Sequence, residues 1–264
     1  MAEPVALSAS SVNTYLRCGY QWYLAYVMQI KSPPSLKQAR GISVHAAIEV
    51  NMTQKKESQR DLPIQDVLDA YRTSFAKTAE DVPEQSKIGE FTDSGVALTR
   101  KYQVEVSPGI QPIWVEEPVA FDLAVARPDD STLIIPWTGS VDLVDSYGRV
   151  RDTKTTSRKP HGADYKLNMT GYALGYRHFT GQIEDEIILD YLVATKKPYY
   201  YPVKSGGPVP GEDLRAFSAT AETVIKGITA GSFPPNGVQS NACSWCGYRS
   251  RCPYVSRTIS PEEE

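Results

Sequence analysis

Gly139-Ser140-Val141-Asp142-Leu143-Val144-Asp145-Ser146-Tyr147-Gly148-Arg149-Val150-Arg151-Asp152-Thr153-Lys154-Thr155 is the stretch whose reading decides the fold. Val141, Leu143 and Val144 read as a buried strand, Asp145 to Gly148 as a turn, and Val150 to Thr155 as a second strand, together a hairpin. Strand alternation sends Asp152 and Lys154 to one face, and Asp142 lies across the turn from them. Two carboxylates and an ammonium then converge. That trio suits a hard divalent cation such as Mg²⁺, which prefers oxygen ligands and keeps positions open for water and phosphate. A metal so held would polarise a phosphoryl oxygen and activate water, and a neighbouring lysine would steady developing charge. The plain alternative is a solvated strand edge carrying a surface ion pair.

Around the hairpin, 264 residues with 41% hydrophobic and 22% charged side chains describe a globular α/β chain with ample material for a core. The formal net charge of −3 excludes a globally basic field, so any nucleic-acid contact has to come from a local basic surface. Neither an apolar run long enough to span a bilayer nor a charged-then-apolar leader is present, which gives a cytoplasmic, non-membrane protein as the expectation.

Ser8 reads as the cap of a first helix carrying Val12, Tyr15, Leu16, Tyr23 and Leu24, and Lys31-Ser-Pro-Pro-Ser35 breaks that pattern. A second helix is expected from Gly41 towards Thr53, with Val44, Ala47 and Ile48 as its apolar stripe. His45 borders that stripe, a place where a lone histidine is more often packed core than ligand. Residues 55–110 read as amphipathic helices without site chemistry, Ile113 to Val125 and Thr132 to Pro136 as strands, and Asp164 to Phe179 as a helix. Strands are expected at Glu186–Val193 and Tyr199–Val203, and a last helix from Glu212 to Ala230 that Gly231 stops.

The four cysteines are Cys18 and the C-x2-C-x5-C group Cys243, Cys246 and Cys252, a count that matches one tetrathiolate site. Spacing alone leaves zinc and an iron–sulfur cluster both open, and a cytoplasmic setting disfavours disulfides.

The order Cys18, Gly41-x-x-x-His45, Gly139-x-x-Asp142, Asp152-x-Lys154, then C-x2-C-x5-C resembles the RecB-type iron–sulfur branch of the PD-(D/E)XK nuclease superfamily. It is similar to the AddB nuclease domain and to the fourth CRISPR-associated protein family. The resemblance implies a restriction-endonuclease-like core, a central mixed sheet flanked by helices, with the N- and C-terminal segments joined by a [4Fe-4S] cluster on Cys18, Cys243, Cys246 and Cys252. It further implies that His45, Asp142, Asp152 and the Thr153 carbonyl hold Mg²⁺ or Mn²⁺ and that Lys154 is catalytic. A single ion is expected, because no fourth firm side-chain ligand is evident. The family's Gln-x-x-x-Tyr helix stands here as Asn168-x-x-x-Tyr172, which makes Asn168 and Tyr172 candidates for substrate binding.

One domain over 1–264 follows, divided into a cluster region (1–35 and 231–256), a helical segment (36–110), a catalytic sheet core (111–204) and a C-terminal helix (211–230). Arg158, with Arg151, Lys159 and Lys166, flanks the hairpin as a candidate phosphate contact, and Trp245 and Tyr248 could stack on bases or shield the cluster. The expected activity is DNA exonuclease on single strands or ends, in recombination, phage DNA processing or CRISPR adaptation, with protein partners from those systems. The alternatives are a catalytically weak DNA-binding module and a structural tetrathiolate zinc protein.

Overall fold

The computed structural model describes residues 5–127, 129–160 and 166–255, Lys166 by its backbone alone. In chain order the helices are α1 (Ala9–Arg17), α2 (Gly19–Trp22, continued by a π-helical turn at Tyr23–Val27), α3 (Leu36–Ser58), α4 (Ile64–Thr78) and α5 (Ile88–Glu105). Strands β1 (Pro112–Ala126), β2 (Thr132–Asp145) and β3 (Val150–Thr156) precede α6 (Lys166–Thr180), and β4 (Ile187–Val193), β5 (Tyr199–Lys204) and α7 (Gly211–Thr229) complete the fold.

Three elements differ from the sequence expectation. The first helix is divided at Cys18, whose backbone is extended at φ −164° and ψ 109°, into α1 and α2. The second helix starts at Leu36 rather than Gly41 because Ser35 and Gln38 form a reciprocal capping box, and it runs to Ser58, where Gln59 turns left-handed. The strand expected at Thr132–Pro136 and the first hairpin strand are one continuous β2. The expected helix start at Asp164 lies outside the described residues.

The five strands make one mixed sheet in the order β1-β2-β3-β4-β5. β2 and β3 pair antiparallel, with Leu143 opposite Arg151, and Gly148 takes the positive φ of 73° in their turn. The Asp145 carboxylate accepts from the amides of Tyr147 and Arg149 and so fixes that turn. β3 and β4 run parallel, a pairing that needs a crossover, and α6 supplies it. β4 and β5 are antiparallel.

The chain forms two compact units. Pro34–Phe121 with Thr138–Phe217 make the first. Its apolar residues gather in two clusters: α3, α4 and α5 supply Val44, Met52, Tyr71, Phe75, Leu98 and Tyr102 against Leu143 and Leu192, while α6 supplies Met169, Ala173 and Tyr176 against Val141, Val150 and Leu189. Apolar surface withdrawn from water on both sides of the sheet is the main stabilising term.

Met1–Pro33, Asp122–Trp137 and Ser218–Glu264 make the second unit. Here the first helices and the C-terminal segment are bound to each other: Tyr15 donates to the Ser232 carbonyl at 2.6 Å, Trp22 stacks on Phe233, and Tyr248 donates to the Ile30 carbonyl at 3.0 Å. Among the described residues no helix is long and apolar enough to cross a membrane.

Close helix packing in the first unit depends on Gly95 of α5, where an added Cβ would lie 1.8 Å from the hydroxyl of the fully buried Tyr71. Gly95→Ala is expected to destabilise by about 1–3 kcal/mol, despite alanine's better helix propensity, because the ring has no room to retreat. Chemical denaturation of the two proteins measures it.

Candidate metal centre

Helix α3 reaches the sheet at a glycine. A Cβ on Gly41 would sit 3.1 Å from the Thr155 hydroxyl, so α3 lies closely against β3 at that point. Four helical residues rise about 6 Å and two strand residues about 6.6 Å, so the helical step from Gly41 to His45 matches the strand step from Thr155 to Thr153. His45 Nε2 accordingly lies 2.5 Å from the Thr153 carbonyl oxygen, and its Nδ1 lies 3.2 Å from Asp142 Oδ2 on β2.

On β3, Lys154 donates to Asp152 Oδ1 at 2.7 Å, as two residues sharing a strand face can. Their partners across the parallel ladder are Leu189 and Tyr191, which pack on the α6 side, and Tyr172 of α6 is close enough to feel the charges of Asp152, Asp142 and Glu116. Lys154 borders an open cleft of about 640 Å³, whose lining also includes Lys37, His45, Glu49, Glu116 and Asp142.

Negative charge is crowded here. Burial, then the Asp152 charge beside it, holds the Asp142 pKa well above the usual carboxylate range. Burial lowers the His45 pKa, which favours the neutral imidazole that a metal requires. Burial alone would lower the Lys154 pKa too, but Asp152 and Asp142 outweigh it and keep the ammonium charged. Asp142 Oδ2 and Asp152 Oδ2 are buried without a hydrogen-bond partner, and His45 Nδ1 approaches Asp142 Oδ2 to 3.2 Å without forming an aligned hydrogen bond. Buried carboxylate oxygens in that condition are costly unless a cation joins them.

Glu116 is the residue that sequence reasoning missed. Among the described residues, His45, Glu116 and Asp142 form the group whose ligand atoms all lie within 4.8 Å of one another. Asp152 stands beside this trio, held by Lys154. Glu116 escaped notice because the alternation of β1 breaks at it. Its φ is +46°, and Trp114 and Val119 pack in the same apolar cluster although five positions apart, a parity change that marks an inserted residue. The Pro118 that follows Glu117 was the available signal, since proline inside a strand pattern flags such a break.

Arg151 requires a correction. It was read as a surface contact for phosphate, but it is buried and forms a two-pronged ion pair with Asp190 on β4 at 2.9 and 2.8 Å. Tyr200 donates to the same carboxylate at 2.6 Å. Arg151 therefore ties β3 to β4 beside the site. Arg158 and Lys159 are exposed after β3, with the Lys159 ammonium 4.8 Å from the Tyr201 ring centre. Asn168 and Tyr172 lie one turn apart on α6, both partly buried, and the Lys166 side chain lies outside the described residues.

In the other unit, an added Cβ on Gly237 would come within 3.5 Å of the sulfurs of both Cys18 and Cys243. The Cys243 thiol is pushed up by burial and then by Cys18, Cys246 and Cys252, which are near enough to act on it. All four are free thiols. Trp245 is exposed with the Arg17 guanidinium 5.1 Å from its ring centre, and the Tyr248 hydroxyl is engaged by Ile30.

The sequence model of the PD-(D/E)XK nuclease superfamily matches residues 6–253. The chain belongs to that superfamily. Asp152-Thr153-Lys154 spells the D-x-K of the name, with Val141 rather than proline before Asp142. The chain is 26% identical over 270 residues to the Gene 69 protein of Mycobacterium phage D29, covering 93% of this chain and 96% of that one. It is also similar in fold to the crystal structure of a candidate exonuclease from Eubacterium rectale, with a TM-score of 0.60, 11% identity, and coverage of 97% and 91%. PD-(D/E)XK nucleases use divalent metals, and the acidic trio is a candidate site for one.

If the unpaired carboxylates await a cation, Asp142→Asn should raise the melting temperature in chelator by removing like-charge repulsion. Wild type should gain stability on adding Mn²⁺, and the variant should gain little. Differential scanning calorimetry with and without Mn²⁺ reads both effects.

Proposed function

We propose that the chain is a metal-dependent deoxyribonuclease, an exonuclease acting on single-stranded DNA or DNA ends. The observation that carries this reading is that His45, Asp142, Thr153 and Lys154 line one open cleft of a nuclease-superfamily chain, with Asp152 buried and bonded to Lys154. The donor set, carboxylate and carbonyl oxygens with one neutral imidazole, fits Mg²⁺ or Mn²⁺. A cation bound there supplies Lewis-acid polarisation of the phosphate and a more acidic water.

The chain's own groups do the rest. Lys154, charged and pinned by Asp152, donates to the phosphate oxygen that gains charge as the bond breaks, and its protonation makes it an electrostatic stabiliser rather than a base. His45 and Asp142 would hold the metal from α3 and β2, and Asp152 orients the lysine and would hold the metal beside it. Tyr172 and Asn168 flank the substrate strand, and Arg158 meets a phosphate beyond it, contacts that fix position without reading sequence. The Eubacterium rectale protein of similar fold is a candidate exonuclease, and the phage relative agrees with a role in phage DNA processing. Recombination and CRISPR adaptation would use the same chemistry.

The cysteine-bearing unit supports membership of the RecB-type iron–sulfur branch, similar to the AddB domain and the fourth CRISPR-associated family. Gly237 leaves the space beside Cys18 and Cys243 that a side chain would fill. Four thiolates can hold either zinc or a [4Fe-4S] cluster, and the cluster is the reading that goes with that branch. When bound, the cluster cross-links the N- and C-terminal segments. Along the sequence, the proposed division is a cluster region at 1–35 and 231–256, a helical segment at 36–110, a sheet core at 111–204 and a helix at 211–230.

Anaerobically purified protein should shorten end-labelled single-stranded DNA with Mn²⁺ or Mg²⁺ and not with chelator. Asp152→Asn and Lys154→Ala should each lower the rate by at least ~10²-fold, and undiminished cleavage by either would place the chemistry elsewhere. The protein should be brown with about four iron atoms per chain, and Cys252→Ser should lose both colour and iron. A colourless protein containing zinc would refute the cluster.

A further inference from the structure

The cysteine-bearing unit carries a surface that the cleft chemistry does not use. Although the chain has a net charge of −3, residues 5–33 and 230–255 contain Arg17, Lys31, Arg249 and Arg251 and neither aspartate nor glutamate. Both segments belong to this unit. Arg17 donates to the Gln21 amide oxygen at 3.1 Å and to the Thr14 hydroxyl, and Arg249 to the Cys243 carbonyl at 3.4 Å, all neutral partners. Lys31, Arg249 and Arg251 are exposed.

Aromatic rings stand among these cations. Of the four tryptophans, Trp22 and Trp137 are buried and Trp114 is partly buried, whereas Trp245 is 63% exposed. The Arg17 guanidinium lies over its ring, 5.1 Å from the centre, which leaves the remaining surface of the ring to solvent. Tyr254 is exposed too, edge-on to Tyr20 at 4.9 Å. Tyr248 donates to the Ile30 carbonyl and a Cβ on Gly247 would collide with the Ser32 side chain, so Lys31 and Arg249 belong to chain segments in contact.

Resting on the nuclease reading, we propose that this face binds single-stranded DNA with none of the cleft's residues. A base stacks on Trp245, whose ring Arg17 backs, while Arg249, Arg251 and Lys31 meet phosphates. The chemistry selects that partner. An acidic protein would satisfy the cations and leave the rings in water, and a duplex keeps its base faces stacked inside. A single strand offers flat faces and regularly spaced charge together.

The test is the fluorescence anisotropy of a short labelled oligothymidylate titrated with the full-length protein in chelator, where metal-dependent cleavage is off. Trp245→Ala should weaken binding about 5- to 100-fold, and Trp245→Phe, which keeps a stacking ring, should recover most of the loss. Arg249→Gln and Arg251→Gln should each make the slope of log affinity against log salt shallower by about 0.7. Lys77→Gln, an exposed cation of α4 in the other unit, should change nothing. Polyglutamate, and the same strand annealed to its complement, should each compete about tenfold less well than the free strand. Should Trp245→Ala fail to fold, as judged by circular dichroism, the two arginine variants decide. Folded Trp245→Ala with wild-type affinity, or unchanged slopes in both arginine variants, overturns the proposal. Equal competition by polyglutamate also overturns it, in favour of an acidic protein partner. Cleavage with Mn²⁺ in the same preparations reports separately: a protein that cleaves without this binding loses the surface alone, and one that binds without cleaving loses the nuclease reading alone.

Discussion

Like charges held together out of water are the constraint on which the first unit turns. Asp142 and Asp152 come from adjacent strands of one hairpin, and each keeps a buried oxygen with no hydrogen-bond partner. A fold can hold such a pair only if the strands beneath cannot relax away from each other. The hairpin turn is fixed by Asp145, β3 is tied to β4 by the Arg151–Asp190 ion pair, and apolar clusters press on both sides of the sheet. Stability is given up at the site and recovered around it, the usual arrangement where a protein must bind a cation rather than only fold.

Much of this was legible in the residues. The hairpin and most of the helices and strands follow from periodicity and caps, and Asp152 and Lys154 meet because a strand repeats every two residues. The link between Gly41 and His45 was visible as a motif, though its reason was not: the glycine lets α3 close on Thr155, and the matching rise of helix and strand carries His45 to Thr153. What stayed hidden depended on partners distant in sequence. Arg151 reads as a surface cation until Asp190, thirty-nine residues later, closes on it from β4. Glu116 sits in an alternating strand pattern, and a single left-handed residue changes which side its carboxylate takes.

The cysteine-bearing unit is built on another principle. Its segments come from both ends of the chain, and aromatic stacking with a few hydrogen bonds joins them: Trp22 on Phe233, Tyr15 to Ser232, Tyr248 to Ile30. Ends brought together over more than two hundred residues carry a large loop-closure entropy, which a covalent cross-link through four thiolates would offset. The free thiols beside Gly237 are the residues such a cross-link would use.

The central claim is that the cleft is a divalent-metal centre, and anomalous diffraction from crystals grown with Mn²⁺ tests it most directly. The account predicts a manganese peak bounded by His45, Asp142 and Asp152, with the Thr153 carbonyl facing it. A fully soaked crystal with no manganese in the cleft, its carboxylates paired instead with lysine or water, would contradict it.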